Sequence, residues 1–144
     1  MADHWFTYLV RVQPHHTDYG GVVWHGTYIQ WMESARVECL RGMGINIEEL
    51  VSLGYDLPVV ELSARYHRPL TLGMSASVKT RLTSIKGVRL NWLYEIEAEQ
   101  GQLCLTGHVS LAPVDVAKQR IVRRLPNHLA ATFDKIETYF RTGV

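Results

Sequence analysis

The spacing of hydrophobic residues changes period along this chain, and the changes mark out its elements. From Phe6 to Val12, Phe6, Tyr8, Val10 and Val12 alternate with Thr7, Leu9 and Arg11, the pattern of a half-buried strand that Pro14 stops. Residues 15–26 keep neither the strand nor the helix period and contain Gly20-Gly21, so they predict a structured loop. From Thr27 to Arg41 the spacing turns helical: Tyr28, Met32, Ala35 and Cys39 form one row, broadened by Ile29, Trp31 and Leu40. Thr27 is the expected N-cap, and Gly42 and Gly44 supply the stop. A short second helix is expected from Asn46 to Leu53, with Asn46 as N-cap, Glu48 and Glu49 in the first turn and Gly54 at its end.

Four strands and a helix complete the reading. Val60, Leu62, Ala64 and Tyr66 share one side of the first strand, before a turn at Pro69 and Gly73. Met74, Ala76, Val78, Thr80 and Leu82 then alternate with Ser75, Ser77, Lys79 and Arg81, and after Lys86-Gly87 the set Val88, Leu90, Trp92, Tyr94 and Ile96 alternates with polar residues. Past Gly101, the row Leu103, Leu105, Val109 and Leu111 runs to Pro113, and residues 127–140 read as helix. Successive one-sided strands without intervening helices predict an antiparallel sheet with one buried face. The fold class is therefore α+β: a five-stranded antiparallel sheet wrapped around a long central helix. At 144 residues the chain, 1–144, is expected to form a single domain.

Composition narrows the function classes. With a formal net charge of +1 there is no electrostatic ground for broad nucleic-acid binding, although a local cluster could hold one phosphorylated ligand. Apolar runs are broken well short of the ~20 residues needed to cross a bilayer, and no secretory leader is legible, so no membrane association is expected. Cys39 and Cys104 stand far apart in no metal-binding spacing, which suits two buried thiols and a reducing, cytoplasmic location.

The candidate chemistry gathers in the loop before the long helix. A helix N-terminus carries unpaired N–H groups and partial positive charge, so a carbonyl oxygen placed there is polarised as negative charge develops on it. Asp18 could attack that carbonyl or direct a water at it. A thioester asks for little more, because a thiolate with a conjugate-acid pKa of ~8.5 leaves without a strong general acid. An Asp beside glycine also commonly closes an Asx turn, and spacing alone leaves both roles open. His25 could orient substrate or lend its backbone N–H, or be structural. A buried Glu33 would need a partner, which Arg36 at i+3 could provide, and a surface ion pair is the other possibility. His15 and His16 have no third ligand nearby, so no metal site is expected. No G-x-S-x-G elbow, dinucleotide fingerprint or P-loop is present. Lys118, Arg120, Arg123 and Arg124, and likewise Lys86 and Arg89, could meet the phosphates of CoA or be solvated surface charge.

The run His16-Thr17-Asp18-Tyr19-Gly20-Gly21-Val22-Val23-Trp24-His25-Gly26-Thr27-Tyr28, followed by Glu33-Ser34-Ala35-Arg36, resembles the 4-hydroxybenzoyl-CoA thioesterase family of hotdog-fold acyl-CoA thioesterases. The order of elements over most of the chain agrees with a hotdog domain. The resemblance implies hydrolysis of an aryl- or fatty-acyl-CoA to free acid and CoA, with Asp18 as nucleophile or general base and the backbone N–H near His25 polarising the carbonyl. His25 would assist. It further implies substrate contacts from Trp24, Gly26, Tyr28, Tyr66 and, as a CoA contact, Arg89. No cofactor is expected, CoA being part of the substrate, and an acyl carrier protein is an alternative carrier. A homodimer or homotetramer with sites at subunit interfaces is also implied. Gly26-Thr27 departs from the family's usual small residue plus Asn. Two other readings remain: a hotdog hydratase or dehydratase on acyl thioesters, and a non-catalytic acyl-CoA-binding module.

Overall fold

The computed structural model describes residues 4–142. Strand β1 spans Phe6–Arg11 and is followed by one 3-10 turn, Pro14–His16. Helices α1 (His25–Gly42) and α2 (Ile47–Ser52) come next, then β2 (Tyr55–Asp56), β3 (Val59–Tyr66), β4 (Ser75–Lys86), β5 (Arg89–Ala98) and β6 (Leu103–Leu111). The chain closes with β7 (Val114–Asp115), β8 (Arg120–Ile121) and α3 (Asn127–Thr142). Five strands pair antiparallel in the order β1-β4-β5-β6-β3, and α1 packs on β1 and β4, which is the expected hotdog arrangement. A small second sheet, β2-β7-β8, was not legible in the periodicity because its strands are two residues each.

The alternation read from sequence is the alternation of burial. Ala76, Val78, Thr80 and Leu82 of β4 and Leu90, Trp92, Tyr94, Ile96 and Ala98 of β5 all point inward. Tyr28, Trp31, Met32, Ala35, Cys39 and Leu40 of α1 meet them in one apolar cluster. α3 adds Leu129, Phe133, Ile136 and Phe140, an i, i+4, i+7, i+11 stripe. On β6 the inward row reads Leu105, Gly107, Val109, and a Cβ on Gly107 would lie 2.9 Å from Met32 Cε. The missing side chain is thus the slot that Met32 fills, and it lets the helix approach the sheet closely. Burial also pushes the Cys39 thiol up to about 12, in keeping with an inert core residue.

One charge lies inside this core. Arg36 turns inward from α1 and is 6 % exposed. Its Nη1 donates to the Tyr94 hydroxyl at 2.9 Å, and its Nη2 lies 3.7 Å from Glu33 Oε1. Burial pushes the Tyr94 phenol up, so it stays neutral and serves as acceptor. The Glu33–Arg36 pair therefore inverts one sequence expectation: Arg36 is the buried member, whereas the Glu33 side chain is 68 % exposed. A long aliphatic stem can be buried with its head group tethered; a short carboxylate three residues earlier remains at the surface.

Two further expectations are corrected. The long helix starts at His25, not Thr27, and the N-cap position is Trp24, without a side-chain cap. Thr27 is buried, and its hydroxyl donates instead to the His16 carbonyl at 2.9 Å. The second correction concerns β3, whose Val60, Leu62 and Tyr66 are 40 %, 39 % and 46 % exposed. They do share one side, but β3 is an edge strand, and the core elements leave much of that side uncovered. The second helix lies where it is expected, with Asn46 at its N-cap position and Leu53 at its C-cap, although the Asn46 side chain bonds Glu49 and Arg41 and makes no cap hydrogen bond.

The Arg36–Tyr94 contact is open to a shape-conserving test. Tyr94→Phe keeps the ring but leaves a buried guanidinium N–H without its acceptor, at a cost of about 1–3 kcal/mol. Urea unfolding should show that loss as a lower midpoint with an unchanged slope; a midpoint equal to the parent's would mean that the buried cation finds another partner.

Candidate active site

The loop between β1 and α1 is a small hairpin. Thr17 and Val23 form an antiparallel bridge, Asp18 N donates to Val22 O at 2.8 Å, and Gly21 N donates to Asp18 O at 3.1 Å. Three residues, Tyr19-Gly20-Gly21, make the tip, and Gly21 has a φ of +80°, the left-handed position that such three-residue loops require. The Asp18 Oδ1 accepts the Gly20 N–H at 2.8 Å. Asp18 therefore does close its own turn, as one of the two sequence readings had it. A carboxylate has two oxygens and about four lone-pair sites, so one N–H leaves acceptor capacity for a substrate or a water. The side chain is half-buried.

The hairpin leads straight into the helix. Trp24 N donates to His16 O at 3.0 Å, and Val23 N to Leu70 O at 2.9 Å. His25 and Gly26 then occupy the first two helical positions. Their amides have no intrahelical acceptor, and no side chain caps the helix. An uncapped, electropositive helix end thus directly follows a hairpin that carries Asp18.

Aromatic rings surround that end. The Trp24 indole is 48 % exposed and lies across Gly26, where a Cβ would be 2.3 Å from its Cζ3. While the indole keeps this position, only glycine fits there. Tyr66, from the end of β3, donates its hydroxyl to His25 O at 2.9 Å. The Tyr28 ring stands edge-on to Tyr66 with centroids 5.4 Å apart, and its hydroxyl accepts the Leu70 N–H at 3.1 Å. Burial is the main cause that raises the pKa of both phenols, so they are neutral near pH 7. Trp24, His25, Gly26, Tyr28 and Tyr66 thus gather around one helix end, and Asp18 lies in the hairpin that leads into it.

Arg89 does not join them. It opens β5, directly after the far end of β4, and forms an ion pair with Glu61 at 3.6 Å. The Asp18 hairpin bonds to residues 70–72, just before β4 begins. The 12 residues of β4 put roughly 30–40 Å between the two within one chain. The basic residues 118–124 follow β7, which continues from the same far end of the sheet. The His15 and His16 rings are tilted against each other with centroids 4.1 Å apart, and among the described residues no group of three or more His, Cys, Asp or Glu could hold a metal. Trp31 and Trp92 are core residues, unlike Trp24. Sequence reasoning missed the Leu70 amide and the Thr27 hydroxyl as site supports, since neither spacing nor residue type signals a contact made across the fold.

Three comparisons bear on this geometry. Residues 12–133 match the model of the thioesterase-like superfamily. The chain is 54 % identical over 127 residues to the Synechocystis protein sll0410, named as an esterase, covering 88 % of this chain and 76 % of that one. It is 30 % identical over 128 residues to the Escherichia coli acyl-CoA thioester hydrolase YbgC, covering 89 % and 95 %. The Staphylococcus aureus DHNA-CoA thioesterase structure superposes with a TM-score of 0.85 over 97 % of this chain and 95 % of that one, at 24 % identity, a likeness of fold.

Gly26→Ala tests whether the indole shapes this site. The added methyl must displace the Trp24 ring, so tryptophan emission should shift and turnover of a bound substrate should fall about tenfold or more through misplacement. Unchanged emission and turnover together would remove Trp24 from the site wall.

Proposed function

The chain belongs to the thioesterase-like superfamily, and from that premise we propose that it hydrolyses an acyl-CoA to free acid and CoA at the Asp18 hairpin and the N-terminus of α1. The observation that carries the reading is the hydrogen-bonded hand-over from an acidic hairpin to an uncapped helix end. A thioester carbonyl oxygen would take the amides at His25 and Gly26, which stabilise the charge that builds on it during attack. Asp18 would attack the carbonyl carbon directly, or take a proton from the water that does. On the first route the C–S bond breaks to give an anhydride with Asp18, which water then cleaves. On the second, the water adduct expels the thiolate, and the proton held by Asp18 passes to the thiolate or to solvent. Each ends in free acid, CoA and the Asp18 carboxylate. His25 assists by holding the substrate near those amides. Trp24, Tyr28 and Tyr66 form the apolar wall for the acyl group.

A second copy of the chain completes the site in this reading. Trp24, His25 and Tyr66 are exposed on one chain, and so is the apolar side of edge strand β3. Two-fold pairing of β3 with itself is antiparallel, so the Tyr66 end of one copy would lie beside the Val59 end of the other. The partner subunit's Arg89 would then approach the CoA at a site that the Arg89 of that site's own chain cannot reach. Such a homodimer, alone or doubled into a homotetramer, reconciles the position of Arg89 with a role in binding. Two buried free cysteines suit a cytoplasmic location. An acyl carrier protein could present the same thioester.

Free-thiol release from a panel of aryl- and fatty-acyl-CoAs tests the activity. Asn at position 18 can still accept the Gly20 N–H, so Asp18→Asn preserves the turn while removing the base. It should lower kcat at least ~100-fold with calorimetric binding of a non-hydrolysable analogue retained. Wild-type turnover surviving in that variant would end the assignment to Asp18. His25→Ala should lose less. Arg89→Ala should raise KM for acyl-CoA but not for the same acyl group on a short thiol lacking phosphates; equal effects on both would take Arg89 out of CoA binding. Binding without any thiol release would favour the silent module.

A further inference from the structure

The 3-10 turn before the hairpin holds a titratable ring in an arrangement that catalysis does not use directly. His16 Nδ1 accepts the backbone N–H of Gln13 at 2.9 Å. The His16 backbone N–H donates to Gln13 O at 2.9 Å, so the ring and the backbone close the same turn from both sides. The His16 carbonyl then accepts twice, from Trp24 N at 3.0 Å and from the Thr27 hydroxyl at 2.9 Å. One residue therefore ties the root of the Asp18 hairpin to the first turn of α1. Its ring stands edge-on to Trp31 of α1, centroids 5.1 Å apart.

An imidazole nitrogen that accepts a hydrogen bond carries no proton. Neutral His16 must be the Nε2–H tautomer to make this turn, and the imidazolium, which donates from both nitrogens, would set an N–H against the Gln13 N–H. Protonation thus removes a bond and replaces it with a repulsive contact at the root of the hairpin. The groups facing the ring are His15, titratable and tilted against it with centroids 4.1 Å apart, and Trp31 from α1, which carries no charge. Neither offers a carboxylate to compensate the imidazolium.

We infer that His16 is a positioning residue for the hydrolysis, its neutral ring holding Asp18 and the α1 amides in register, so that protonation of His16 uncouples them. This rests on the thioesterase reading of the site. Burial first, then His15, lowers the His16 pKa below the ordinary value of 6.5. A depressed folded-state value means the neutral ring's contribution is complete above about pH 6.5. That contribution declines at lower pH and is lost as pH falls through the folded-state value.

Asparagine supplies the test, because its Oδ1 can occupy the place of Nδ1 and accept from Gln13 without titrating. Wild type should lose kcat on an acid limb of about tenfold per pH unit below the His16 midpoint. His16→Asn should keep kcat within about threefold near neutral pH and lack that limb, whereas His16→Ala should lose about tenfold or more at all pH values. A structural role alone would not move the limb. Nitrogen-15 NMR of the histidine ring gives an arm independent of turnover: the Nε2–H tautomer near neutral pH, with the Gln13 and Trp24 amide shifts following the His16 titration. An acid limb unchanged in His16→Asn, or amides that ignore the titration, would overturn the inference. If wild type releases no thiol from any acyl-CoA while the amides do follow the ring, the thioesterase reading fails and the coupling stands.

Discussion

The structure depends on burying α1 against a one-sided sheet while leaving its first turn uncapped. Helix ends ordinarily recruit a Ser, Thr, Asp or Asn side chain for their free amides. Here Trp24 holds the cap position and provides none, and the nearby Thr27 hydroxyl is committed to the His16 carbonyl. The amides at His25 and Gly26 therefore keep their demand for an acceptor, and the deep packing of Met32 into the Gly107 slot holds the helix against the sheet. Rigid burial behind and unmet hydrogen bonding in front are two results of one placement. A thioester carbonyl is the kind of group that satisfies the second without disturbing the first.

Much of this was legible in the chain. The period-two rows of β1, β4, β5 and β6 and the helical row Tyr28, Met32, Ala35, Cys39 gave the sheet and its helix, because burial on one side imposes those periods directly. Asp18, Trp24, His25, Gly26, Tyr28 and Tyr66 were named from sequence; contacts join the last five to one another, and Asp18 sits in the hairpin just before them. The Asx turn at Asp18 was also foreseen, as one of two readings. It is compatible with chemistry since the turn engages Oδ1 through a single N–H.

Other features were not legible, for identifiable reasons. Helical spacing marks which residues face the core but not where the first turn starts, so Thr27 passed for a cap when it is buried two positions inside. The Glu33–Arg36 spacing predicts contact but not which member is buried; that follows from Tyr94 standing across the sheet as an acceptor. Arg89 was placed near the substrate by resemblance alone. In one chain it belongs to the opposite end of the strands, a separation that only the hairpin order reveals.

The two open edges of the sheet differ in what they offer a colliding molecule. β1 is six residues long, and the chain leaves it at once for a proline and a 3-10 turn. β3 is eight residues long, with apolar side chains exposed along one side. Unprotected edges are where strands from other chains add, and short or proline-terminated ones resist it. Growth by strand addition would therefore run through β3, the same edge that the proposed two-fold pairing would use up. A pair closed in that way would have little capacity to nucleate fibrils, even at high concentration.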